Sequence, residues 1–370
     1  MFRWNARATA LGSFFLGSAL LTSAAAAQTL TYGSGAPERA NFHTHGVKPM
    51  MQAIGKATDG RVQFRGLYGG TVVKLDTTLQ GVRDGIVDSG YLILSFHPSE
   101  LPQAGMLAEM NALSTDPFAA AGAANEILYK HCESCRRDFE KQGQQAVFAW
   151  ATSPMAMVCT GAVKSSADLV NKRVSVIGSG ESRWATALGM SPTRTAISDL
   201  ASSLQLGRSD CAIVPINWIR SYGLVDIAKS VITLPQGIGA GAIPLTISNK
   251  AWSGLSDADK AAIRNTVADN LHGWIKGAYL SADDEVRAQT KAKISYIDQD
   301  EAMAKAWTAH QAKEIDALIE LAKRRNIPDA ERFVKDAAAV FRKWHEVHLP
   351  VFKNDPKAYA EILKREVFGQ

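Results

Sequence analysis

The chain has 370 residues, with 41 Lys and Arg against 36 Asp and Glu and a formal net charge of +5. That excess is mild and its basic residues form no long run, which excludes a surface built for nucleic acid. With 46% hydrophobic residues and no low-complexity stretch, the composition is that of a folded globular protein rather than a disordered or fibrous one. Arg3 and Arg7 precede an apolar run over 8–21, and Ala24-Ala25-Ala26-Ala27 follows it. A charged start, a short apolar stretch and an Ala-x-Ala site predict a secretory signal peptide over residues 1–27, cleaved before Gln28. The run is short for a membrane anchor, and no Cys stands at position 28 to carry a lipid.

Leu30-Thr31-Tyr32 then opens a strand, residues 42–56 carry apolar side chains at helical spacing, and Thr58-Asp59-Gly60-Arg61 turns the chain into a strand at Val62-Gln63-Phe64. A helix over 77–84 closes on Gly85 and delivers Asp88 into an apolar strand ending at Leu94. The same phrase returns in Leu204-Gln205-Leu206-Gly207-Arg208-Ser209-Asp210, followed by a strand at Cys211–Val214. Each copy reads as a helix stopped by glycine and a tight turn into a buried strand. Between them the spacing predicts helix over 117–142, strands over 146–150 and 155–160, a turn at Asp168-Leu169 and a strand over 173–177. Helices follow over 181–188 and 199–206, and from Asp257 onward the pattern is mostly helical. Alternating strands and helices predict two α/β lobes with largely parallel sheets, and a cleft between lobes is where small ligands bind.

Four cysteines are present. Cys132-Glu133-Ser134-Cys135 has the C-x-x-C spacing, and Cys159 and Cys211 each stand alone in a predicted strand. No second C-x-x-C or spaced His pair completes a metal set, so in an oxidising compartment the pair is read as a local disulfide, with a redox centre as the alternative. A bridge between Cys159 and Cys211 is left open. His43-Thr44-His45 and His345-Glu346-Val347-His348 lack the spacing of a zinc helix, and Asp88 and Asp210 are read as turn and capping residues rather than a catalytic pair.

The order of these pieces resembles the substrate-binding proteins of tripartite ATP-independent periplasmic (TRAP) transporters, the DctP-type family. Thr58-Asp59-Gly60-Arg61-Val62 is similar to that family's T-x-G-R turn, and Gly85-Ile86-Val87-Asp88 to its G-x-I-D step. Ser166-Ala167-Asp168-Leu169, Ala187-Leu188-Gly189-Met190-Ser191-Pro192, Asp199, the L-Q-x-G-x-x-D of 204–210 and Trp252-Ser253-Gly254-Leu255 follow in the family's order. The resemblance implies a two-lobed α/β fold like that of periplasmic binding proteins, with an interlobe ligand cleft and helical C-terminal bracing. The expected parts are a first lobe over 28–147, a second over 148–238, a crossover back and long helix over 239–301, and C-terminal helices over 302–370. It also implies no enzymatic activity, no cofactor, capture of a small organic acid in the periplasm by lobe closure, and delivery to the membrane permease. Dimerisation through the C-terminal helices, seen in some relatives, is left open. A secreted redox enzyme using Cys132 and Cys135, and a sensory receptor of the same fold, are the alternatives.

The resemblance implies a strand arginine in the second lobe that pairs with the ligand carboxylate, because the planar guanidinium offers two parallel charge-assisted hydrogen bonds. That position holds Ser175, and the position of a further family contact holds Val214. Arg173, Arg183 and Arg194 are candidates to take over the charge, Arg194 foremost because its segment runs toward the cleft in the family. Tyr68, Tyr91, Trp150 and Trp218 are candidate aromatic walls of the pocket. If none of the arginines serves, Ser175 marks a neutral or zwitterionic ligand.

Overall fold

The computed structural model describes residues 1–2, 27–233, 237–353 and 355–369, so the signal-peptide reading falls, apart from its ends, outside the described residues. Eleven strands are described: β1 (Gln28–Gly33), β2 (Val62–Leu67), β3 (Ser89–Ile93), β4 (Gln144–Trp150), β5 (Met155–Cys159), β6 (Arg173–Val176), β7 (Ser191–Arg194), β8 (Cys211–Pro215), β9 (Ser230–Thr233), β10 (Ala242–Ser248) and β11 (Ser295–Asp298). They form two sheets, one ordered β2-β1-β3-β10-β4 and one ordered β11-β9-β5-β8-β6-β7. Each sheet is the floor of one lobe.

The sheets are mixed rather than largely parallel. β10 runs antiparallel to both β3 and β4, and β5 runs antiparallel to both β8 and β9. The reason is topological. β5 and β10 are the strands that the chain enters directly from a strand of the other sheet, β4 to β5 and β9 to β10, and each runs against the neighbours it joins, whereas β11 arrives by way of helices and lies parallel to β9. The two crossings are tied together: Thr152 N donates to Gly239 O at 2.9 Å, Met155 N to Gly237 O at 3.2 Å, and Pro154 bridges Ile238. β10 also carries Pro244, which cannot donate to a ladder, and the pairing register shifts there.

The first lobe's core gathers Leu30 and Tyr32 of β1, Leu92 of β3, Phe148 and Trp150 of β4 and Ile243 and Leu245 of β10 with the helices around them. In the second lobe one face of the sheet packs Met157, Val174 and Ile213 with Trp184, and the other packs Val158, Ala212 and Val214 with Trp218. The helix expected over 117–142 is interrupted at Cys132, whose backbone leaves the helical region and whose side chain accepts from Cys135 N to cap a new helix, Glu133–Lys141.

Past Asp257 a helical run extends to residue 290, β11 then joins the second sheet, and the helix Glu301–Arg324 follows. At 1.5 Å per residue that 24-residue helix is about 36 Å long, enough to brace both lobes. Its Met303 and Trp307 pack into the second lobe and its Leu318, Ile319 and Ala322 into the first. Where it passes the lobe junction, buried Glu314 pairs with Arg183, and buried Glu109 pairs with Arg325.

Candidate functional site

A cleft of about 1050 Å³ lies between the lobes, lined by the segments that follow β1, β2 and β3 in the first lobe and β6, β7 and β8 in the second. Carboxyl ends of strands are where open α/β sheets present ligand sites, because loops there are free to vary on a fixed scaffold. The first loop, 34–37, is held from behind. Burial brings the His43 imidazole down to about 4, so it is neutral near pH 7, its Nδ1–H donating to Pro37 O and its Nε2 accepting from Ser34 Oγ, both at 2.9 Å. Gly35 has no room for a side chain, since a Cβ there would lie 2.2 Å from Leu75 N.

The lining sorts by polarity. Leu75, Phe96, Ile177, Ile197 and Tyr222 are buried or half-buried, whereas Arg39, Lys74, Asp76, Arg194 and Asp199 are all exposed. Leu75, Ile93 and Phe96 of the first lobe pack on the second lobe's cluster of Ile197, Val214 and Trp218, so the cleft has an apolar floor contributed by both sides.

Of the three candidate arginines, only Arg194 lines this cleft. It extends from the end of β7 across to the first lobe, where its Nη2 donates to Ser95 O at 2.9 Å. Arg173 is spent elsewhere, gripping Asp210 through Nε at 3.1 Å and Nη2 at 2.9 Å, and this pairing holds the Asp210 carboxyl below its usual range. Asp210 also accepts from Arg173 N, and Asp88 accepts from Thr31 N and Oγ1 at 2.8 and 2.7 Å, so both repeat aspartates fasten the turn before a strand. Arg183 faces the long helix and bonds Glu314 and the Glu109 carbonyl.

Ser175 is buried with its hydroxyl shared between Thr195 Oγ1 and Ser209 Oγ, each at 2.9 Å, and only Thr195 of this trio lines the cleft. Val214 is buried in the apolar floor, and Trp218 backs it with its ring 4.8 Å from that of Tyr222. Tyr91 and Trp150 sit in an aromatic cluster with Phe42 and Tyr279 behind the first lobe's loops, where burial pushes the Tyr91 hydroxyl up to about 12. Tyr68 folds back on His43, 4.6 Å between ring centres, with its hydroxyl toward Met51. Sequence reasoning missed Arg39, Lys74, Phe96, Ile177, Ile197 and Tyr222. The available signal was positional: all of them follow the ends of strands or of the short helix after β8.

Cys132 and Cys135 are disulfide-bonded and buried, as are Cys159 and Cys211, which face each other across β5 and β8. Neither pair opens to the cleft. Among the described residues no cluster of His, Cys, Asp or Glu has the arrangement of a metal site.

Comparison with known proteins gives a consistent picture. The family model for bacterial extracellular solute-binding protein, family 7 (DctP), matches residues 32–320. A solute-binding protein of Roseobacter denitrificans is 27% identical over 314 residues, which is 82% of this chain and 94% of that protein. Among solved structures, a marine metagenome TRAP solute-binding protein specific for aromatic acids, crystallised with 3-hydroxybenzoate, superposes with a TM-score of 0.76 at 19% identity. That likeness covers 87% of this chain and 100% of the other. A TRAP periplasmic solute-binding protein of Bordetella bronchiseptica with bound mandelate gives 0.71 at 22% identity, covering 85% and 99%.

Proposed function

This chain belongs to the bacterial extracellular solute-binding proteins of family 7, the DctP family of TRAP transport, and we propose that it captures a small organic acid by closing its two lobes on it and delivers the acid to the membrane permease. The family is one of binding proteins rather than enzymes. In this reading the mature chain works in the periplasm, and ligand contacts made by both lobes at once favour the closed arrangement over the open one.

The observation that carries the reading is Arg194. It lines the cleft, already touches the opposite lobe through Nη2, and has further guanidinium donors for a carboxylate. Arg39 and Lys74 add positive charge from the first lobe, and no ion pair among the described residues involves either of them. That the similar proteins named above hold 3-hydroxybenzoate and mandelate, both carboxylic acids, supports the same ligand class here.

The test is a thermal-shift and calorimetric screen of residues 28–370, stripped of copurified ligand by refolding, against acids, amino acids and polyols. A ligand at a hundred times its Kd adds about 2.7 kcal/mol of stability. Acids are expected to bind, and Arg194→Ala to cost about 2 kcal/mol, roughly thirtyfold in Kd. Arg173→Ala, which removes a pair outside the cleft, is expected to leave affinity within about twofold of wild type. Binding confined to neutral polyols, or Arg194→Ala without effect, would sink the reading.

A further inference from the structure

The polarity of the cleft is the reverse of what a hydrophilic acid needs. A deep carboxylate requires buried donors. The resemblance puts an arginine at position 175, whereas the residue there is a serine whose hydroxyl is already engaged by Thr195 and Ser209. The other buried or half-buried side chains that line the cleft are mostly apolar, Leu75, Phe96, Ile177 and Ile197 with the ring of Tyr222, backed by Ile93 and Val214, and the polar ones among them, Thr195, Ser221 and the Tyr222 hydroxyl, are uncharged. A carboxylate pressed onto that floor would lose its hydration and find hydroxyls but no buried cation to pair with, an imbalance that costs several kcal/mol. Every charged side chain of the cleft lies at its exposed margin instead, three cations (Arg39, Lys74, Arg194) against two carboxylates (Asp76, Asp199). One of those carboxylates, Asp199, accepts a hydrogen bond from Ser198 Oγ at 3.3 Å. The margin is therefore positive by one charge, the complement of a monoanion.

We infer that the ligand is an amphipathic monocarboxylate bound apolar end inward, its hydrocarbon or aryl body on the floor made by both lobes and its carboxylate at the margin with Arg194, Arg39 and Lys74. This rests on the organic-acid reading above and narrows it to a class. Size agrees: a cleft of about 1050 Å³ is at the upper end of small-molecule pockets and has space for far more than a two- or three-carbon acid. The body also has a role in closure. Because the floor joins Leu75 and Phe96 of one lobe to Ile177 and Ile197 of the other, an apolar chain between them removes surface of both lobes from water only when they come together.

The test is titration calorimetry of the ligand-stripped mature chain with straight-chain monocarboxylates from butanoate to decanoate, and with malate, pyroglutamate and 1-decanol. Affinity is expected to rise up to about fourfold per added methylene until the floor is covered, with malate and pyroglutamate weaker than octanoate. Ile177→Thr, a substitution at a half-buried position that keeps the branched shape, should flatten the slope, and Ile177→Leu should restore it. Arg194→Ala should weaken every acid by one factor and leave the slope alone. A flat slope, or malate tighter than decanoate, overturns the inference and leaves the acid receptor standing. Decanol binding where no carboxylate does overturns the acid reading itself, and silence from every probe overturns both.

Discussion

At the scale of single residues, the side chain with the clearest consequence outside the cleft is Asp283. Its carboxylate accepts from the backbone N–H of Asn217 at 2.7 Å and from Asn217 Nδ2 at 2.6 Å, yet burial still pushes it up to about 6. A carboxyl raised in the folded state binds its proton more tightly there than in the unfolded chain. Its favourable contribution is therefore complete below about 4, is lost as pH rises to about 6, and does not change further above that. Asp283→Asn keeps an acceptor for Asn217 and removes the titration. In urea melts from pH 4 to pH 7, the variant should gain about 2 kcal/mol on wild type across that window. A difference independent of pH would mean that Asp283 is solvated in the folded protein. The same scale shows where sequence reading stops. Arg173, Arg183 and Arg194 look alike in the chain, and what separates them is partners brought in from a distance: Asp210 for the first, Glu314 for the second, and only a carbonyl across the cleft for the third. That Ser175 stands where an arginine is expected came from the family resemblance, counted from Asp168. That its hydroxyl is consumed by Thr195 and Ser209 depends on the pairing of β6 with β7 and β8, which spacing does not carry.

Among the elements, the two disulfides differ by what they close. Cys132 and Cys135 are three residues apart, and their bond fixes a single helix start, whereas Cys159 and Cys211 are 52 apart and tie adjacent strands around all of β6 and β7. Loop-closure entropy scales with the logarithm of length, giving about 4 kcal/mol for the long loop and about 1.5 for the short one. The double variant Cys159→Ala/Cys211→Ala should accordingly lose more than twice the stability lost by Cys132→Ala/Cys135→Ala, read from urea midpoints at matched slope. Equal losses would show that local packing around the sulfurs, not the chain constraint, decides their worth. Elements were legible where they repeat a strong pattern: both helix–glycine–strand phrases fold as read, over 78–93 and 200–215. β7, β9 and β11 are four residues each, too short for a period to register, and β10 is disguised by Pro244. Each of the four gains its place from neighbours in its sheet rather than from its own sequence.

For the whole molecule, the property that matters is how the lobes are held together, and few side chains do it across the cleft. Besides Arg194, Arg220 of the second lobe donates from Nη2 to Asn41 Oδ1 of the first at 2.9 Å. Arg220 is itself steadied by Glu285 at 3.0 Å and by Gln289 at 3.3 Å, both on the helix Ser281–Thr290 that leads into the second sheet. With Leu75, Ile93 and Phe96 already seated on the second lobe's cluster, this contact belongs to an arrangement in which the cleft floor is joined. Arg220 does not line the cleft, so its removal should act on the equilibrium between arrangements and not on the ligand. A hydrogen bond with one charged partner contributes about 1.5 to 3 kcal/mol, and apparent affinity scales with the fraction of molecules that are competent to close. Arg220→Met should thus weaken every ligand by about tenfold or more, in the same ratio for each, while scattering shows a larger radius for the unliganded chain. Glu285→Gln, which loosens the brace but leaves the contact to Asn41, should fall between the variant and wild type. Tighter binding in Arg220→Met would assign the contact to the open arrangement and reverse the sense of the latch. A change in ligand ranking would place Arg220 in the pocket after all.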